Sequence, residues 1–296
     1  MKLEKAYSID IKRKITAEEA DILYDKSFVK SKYAFKCPED NCEAQVTCAN
    51  LDRLKKLRKR DPYFKAIDQH DDECSIGRAI RDNVRREGKG DNPYGTDKPV
   101  IGTVRLNLNT PPVDKVMPTK DENNGGSATG FGTGKGRGRK TGEEREITAT
   151  RTVSSLVDAF SNNKQLTIEL PGQDSIPIND LFVPIDKQDI GDFIDEYRIY
   201  YGKAFFNKAK NGQGYIVRFA TPLKTNEREI LPTFFITNEL MDKCSLKKFK
   251  KSELDKLSDG KPRTVYLLSE VSPVLNWSED YINFQLEALH YMDCRE

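Results

Sequence analysis

Cys37-Pro-Glu-Asp-Asn-Cys42, answered by His70-Asp-Asp-Glu-Cys74, are the two stretches on which the reading of this chain turns. They form a C-x4-C pair and, after an insert over 43–69, an H-x3-C pair. Each spacing lets a short turn aim two soft donors at one tetrahedral ion. Cys37, Cys42, His70 and Cys74 together would fill the four positions of a closed, structural Zn2+ site. The H-x3-C half departs from the commoner C-x2-C or H-x3-H, but zinc accepts either donor. The competing reading is three ordinary thiols and a surface histidine. Against it, the chain has only two histidines, and one stands at ligand spacing from a cysteine.

Inside the insert lies a basic run in which Arg53, Lys55, Lys56, Arg58, Lys59 and Arg60 alternate with Leu51, Leu54 and Leu57. The leucines recur every three residues and predict one apolar edge, and Asp61-Pro62 ends the segment. Such a run is often only a solvated face. Its clustering also suits phosphate contact, because grouped cations displace condensed counterions from a nucleic-acid backbone.

Phe35-Lys-Cys37-Pro38, Cys42, Val46, Pro62-Tyr63-Phe64, His70 and Cys74 resemble the N-terminal zinc module of the competence-protein CoiA family, over residues 33–78 or so. The resemblance implies metal binding and a nucleic-acid setting, in a bacterial or mobile-element accessory protein. Larger members of that family continue into a nuclease-like domain, which the rest of this chain does not visibly do.

With 296 residues, of which 32% are charged, the chain is long enough for two modest domains. No apolar run nears the ~20 residues that cross a bilayer, and Met1-Lys-Leu-Glu-Lys5 lacks a signal-peptide core. Six cysteines without a secretory signal predict reduced thiols and a cytoplasmic setting. A net charge of +2 gives no global pull toward nucleic acid, so any such argument rests on local clusters.

The expected organisation is α+β. A small zinc-binding module with its basic insert occupies 1–110, a Pro/Gly-rich flexible linker 111–147, and a strand-rich domain 148–296. Alternation over 6–13 predicts a first strand with Tyr7, Ile9 and Ile11 on one side. Thr16-Ala-Glu-Glu19 is a capping box at a helix start. Val100–Leu108 reads as a strand closing the N-terminal unit. In the glycine-rich segment, Lys135, Arg137, Arg139 and Lys140 are candidate phosphate contacts, as in glycine-arginine tails. Gly134-Lys135-Gly136 fails the P-loop pattern.

Beyond it, Val153, Leu156, Val157 and Phe160 predict a helix, and 198–206 with 214–220 a hairpin around Asn211-Gly212. The whole domain suits an OB-like barrel or a mixed sheet. Tyr197, Tyr200, Tyr201, Phe205, Phe206, Tyr215 and Phe219 gather in that hairpin. Core filling is preferred over base stacking for them, because adjacent pairs such as Tyr200-Tyr201 must point to opposite faces.

No catalytic constellation emerges. Asp195-Glu196 and Lys203 loosely resemble a nuclease carboxylate–lysine set, at too long a spacing for E-x-K. The expectation is a nucleic-acid-binding protein, of DNA or RNA, with structural Zn2+ and no membrane partner. The rival expectations are a protein–protein adaptor with a purely architectural zinc site and a CoiA-like nuclease.

Overall fold

A computed structural model describes residues 2–58, 60–68, 70–79, 103–108, 150–210, 212–225, 228–276, 278 and 280–296. The fold is mixed α+β, rich in strands and with few helices. Among the described residues no helix is long and apolar enough to cross a membrane.

The first sheet is antiparallel, ordered Lys2–Leu3, Tyr63–Ala66, Gln45–Ala49, Phe35–Lys36, Lys5–Ser8, Arg13–Thr16. The alternation over 6–13 does not make one strand. A turn with Lys12 at φ 52° splits it into a hairpin, and Ala6 and Ser8 face inward while Ile9 is exposed. Helix Ala17–Asp25 begins at the capping box, with Glu19 N donating to Thr16 Oγ1 and Thr16 N to Glu19 Oε2. Phe35 and Phe64, ring centroids 5.0 Å apart, centre this core.

The strand expected to close the N-terminal unit belongs elsewhere. Val104–Leu106 lies parallel to Thr150–Arg151 and Thr167–Glu169 in a four-stranded second sheet. Helix Val153–Ser161, capped by Thr152, packs its buried face there. The expected linker over 111–147 lies outside the described residues.

The third sheet is long and mixed, ordered Val274–Leu275, Ile282–Asn283, Thr233–Thr237, Gly214–Phe219, Arg198–Lys208, Arg263–Ser269, Met292–Arg295. Phe182–Pro184 lies parallel to the start of Arg198–Lys208. No closed barrel occurs among the described residues. Barrel strands bury one face, whereas these strands are apolar on both. Tyr200, Ala204 and Phe206 enter one core, while Ile199, Tyr266 and Leu268 enter another beneath the helix. The hairpin aromatics are therefore mainly core, with Phe205 half-buried.

The N-terminal sheet is joined to the rest by a seam of charge. Lys32 Nζ lies 3.1 Å from Asp195 Oδ2, their side chains 6% and 1% exposed. Asp195 also accepts from the Asn50 amide and from both the amide and hydroxyl of Ser272. Burial opposes ionisation of Asp195, but Lys32 and these donors hold its pKa below the ordinary value. Arg53 pairs with Glu196, Arg60 with Glu270, and Lys65 with Glu270 and Glu287. Arg60 also donates to the carbonyls of Pro171 and Gly172. Gly172 has φ +63°, a backbone conformation that favours glycine, and a Cβ there would displace the Arg60 guanidinium.

Removing one partner of a buried pair leaves the other charge uncompensated, which costs roughly 3–5 kcal/mol. Asp195→Ala is expected to lose that much by urea unfolding, and a loss under ~1 kcal/mol would contradict the seam. Thr16→Ala, read in the same way, is expected to cost about 1 kcal/mol through loss of the helix cap.

Candidate metal centre

The four donors arrive from the ends of neighbouring strands. Phe35–Lys36 leads into Cys37, Gln45–Ala49 leads out of Cys42, and Tyr63–Ala66 delivers the loop carrying His70 and Cys74. Cys37 N donates to Ala44 O and Cys42 N to Glu39 O, which folds the C-x4-C segment into a tight knuckle. Two contacts tie this knuckle to the second pair: Ser75 Oγ donates to Glu39, and Glu43 N to Asp71.

All four residues are buried, and their ligand atoms lie within 4.8 Å of one another. Cys37 Sγ and Cys74 Sγ are 3.7 Å apart, and His70 Nδ1 is 3.4 Å from Cys42 Sγ and 3.5 Å from Cys74 Sγ. Zn–S and Zn–N arms of ~2.3 and ~2.0 Å at tetrahedral angles require about 3.8 Å between sulfurs and about 3.5 Å from sulfur to nitrogen. The spacing of the cluster therefore fits one ion. Cys37, Cys42, His70 and Cys74 could hold a metal, with Nδ1 as the histidine donor.

Burial pushes the Cys37 thiol up to about 12 and raises Cys42 as well, so bare thiolates are costly here. The backbone answers in part. Glu39 hydrogen-bonds Cys37, Ala44 and Asp71 hydrogen-bond Cys42, and Gly77 N donates to Cys74 Sγ. Such outer hydrogen bonds orient ligands and offset thiolate charge, and a divalent cation would supply the remainder.

The basic run is less available than its sequence suggests. Arg53 and Arg60 belong to the seam. Lys55 pairs with Asp21 and Asp25, while Arg58 pairs with Asp21 and donates to the carbonyls of Leu51 and Arg53. Lys56 is exposed. Lys59, and Lys135, Arg137, Arg139 and Lys140, lie outside the described residues. The expected leucine edge does not form, because Leu51 is buried, Leu54 is 63% exposed, and only Lys55–Leu57 makes a helical turn.

The carboxylates at 195 and 196 are likewise engaged. Glu196 binds Arg53 and Arg198, and the space lined by Asn50, Arg53, Gln173, Asp195 and Glu196 amounts to about 10 Å³. That is at most one water, with no room for a phosphate. Sequence reasoning missed Lys32, Lys65, Glu270 and Glu287, whose partners are far away along the chain.

Compared with known proteins, this chain matches no protein-family model, no curated protein and no solved structure.

Elemental analysis of the purified protein is expected to find one zinc per chain. Cys42→Ser or His70→Ala is expected to drop that ratio below one half and to lower the thermal midpoint. Full zinc content in both variants would remove these residues from the site.

Proposed function

We propose that this chain is a zinc-stabilised binding protein rather than a zinc hydrolase, and that its ligand is nucleic acid. The observation that carries the first part is the donor set. Three thiols and an imidazole, all buried, leave no coordination position for a water, as a structural site requires and a catalytic one does not. The CoiA-like pattern around Cys37 and His70 supports the nucleic-acid part, as do the cations not drawn into the seam.

Phosphate contact falls to few residues, Lys56 foremost, since Arg53, Lys55, Arg58 and Arg60 hold the fold together. Anisotropy with labelled single-stranded and duplex oligonucleotides tests this. Affinity is expected to fall roughly ten- to hundredfold between ~50 and ~200 mM salt, as two to four phosphate contacts would give. Absent binding, or binding indifferent to salt, would overturn the reading.

The engagement of those same four cations favours a second reading, a protein adaptor whose zinc site is purely architectural. Reversing Arg58 or Arg60 would break internal pairs and decide nothing. Lys56→Glu is the discriminating variant. The nucleic-acid reading expects it to weaken oligonucleotide binding severalfold, and the adaptor reading expects no oligonucleotide binding to weaken.

A further inference from the structure

The strand Arg198–Lys208 has an odd-numbered face that is covered along only part of its length. Ile199 and Tyr201 on that face pack beneath helix Val153–Ser161, whereas Lys203 and Asn207 are exposed and Phe205 is half-buried. Directly opposed residues in an antiparallel register place their side chains on the same face. Phe205 opposes Arg218, which opposes Thr233, and Asn207 opposes Ile216, which opposes Phe235. The uncovered half-face therefore presents Phe205, Ile216, Arg218 and Phe235 side by side.

This face forms one wall of a cleft of about 600 Å³ that reaches the metal-site loop at His70 and Gly77. Its volume lies in the range that encloses a drug-sized ligand. Two large aromatics are left exposed there, Tyr281 at 55% and Phe235 at 37%. The charges lining it mostly cancel, since Lys243 pairs with Glu239 and Glu287 with Lys65. Asp68 accepts from the Gln45 amide. Arg218 is exposed, and among the described residues its side chain has no ion pair or hydrogen bond.

We propose that this cleft binds single-stranded nucleic acid, with bases stacked on Phe235 and Tyr281 and a phosphate held by Arg218. The assignment rests on the nucleic-acid reading above and gives it a surface. Every base offers a π-face, so exposed aromatic rings take bases without regard to sequence, and a guanidinium lining the same cleft matches the backbone charge. Bases in a duplex are already stacked on one another, so this surface selects the single strand.

Direct binding of labelled oligothymidylate and oligouridylate to the full chain tests the site, with zinc content and thermal midpoint as checks on folding. Phe235→Ala and Tyr281→Ala alter exposed side chains, and each is expected to weaken binding roughly five- to hundredfold. Arg218→Ala is expected to reduce the slope of log affinity against log salt by about one contact. Wild-type binding that none of the three variants weakens overturns this site and leaves the broader reading standing. Equal affinity for duplex and single strand overturns the stacking. A wild-type protein that binds neither oligonucleotide overturns both.

Discussion

A lysine that is almost wholly buried against a buried aspartate constrains this protein more than any other contact. Lys32 and Asp195 are far apart in sequence, and although Lys32 also meets the half-exposed Asp52, losing the lysine would strand the buried Asp195 charge in a medium that solvates it poorly. Around them Arg53, Arg60 and Lys65 of the N-terminal sheet meet Glu196, Glu270 and Glu287 of the other part. In the pairs that cross between the two parts, the cations come from one side and the carboxylates from the other. Such a seam fixes register as well as contact, because a shifted docking would leave buried charges unpaired. Gln45 and Gln285 add one hydrogen bond across it in each direction.

The metal centre and the seam act on the same strands. Phe35–Lys36, Gln45–Ala49 and Tyr63–Ala66 end in the Cys/His cluster, and Asn50 and Lys65, on or beside two of them, reach the seam. A metal that closed the loop from Cys42 to His70 would hold those strands in pairing, and their pairing aims the basic residues at their carboxylates. The cationic run is thus read most economically as architecture. Apart from Lys56, a polyanion must find charge elsewhere, which turns attention to the side of the long sheet that the helix leaves open.

Features fixed by local chemistry were legible from the residues alone. The Thr16–Glu19 box, the helix from Val153 and the hairpin closed through Gly212 each depend on neighbours within a few positions. The metal quartet was legible because cysteine and histidine are rare here and their spacing is restrictive. What escaped depended on distance. Nothing near Arg60 foretells Glu270, and the pairing of Val104–Leu106 with Thr150–Arg151 bridges a segment with no local signal for it. The Leu51–Leu54–Leu57 repeat misled because three-residue spacing matches a helix only while the helix continues, and here it stops after one turn. The barrel expectation failed for a related reason. Apolar residues on both faces of Arg198–Lys208 and Arg263–Ser269 are visible in the sequence, but which distant element covers the second face is not.

The most direct measurement is a carbon-detected NMR titration of the Glu270 side-chain carboxyl in the folded protein. Burial alone would raise its pKa, but the charges of Lys65 and Arg60 hold it down to about 2. The midpoint is expected there, with the carboxylate still ionised as ordinary glutamates protonate. A midpoint at the ordinary glutamate value would contradict it, since Glu270 would then face solvent and the two parts would not be joined as described.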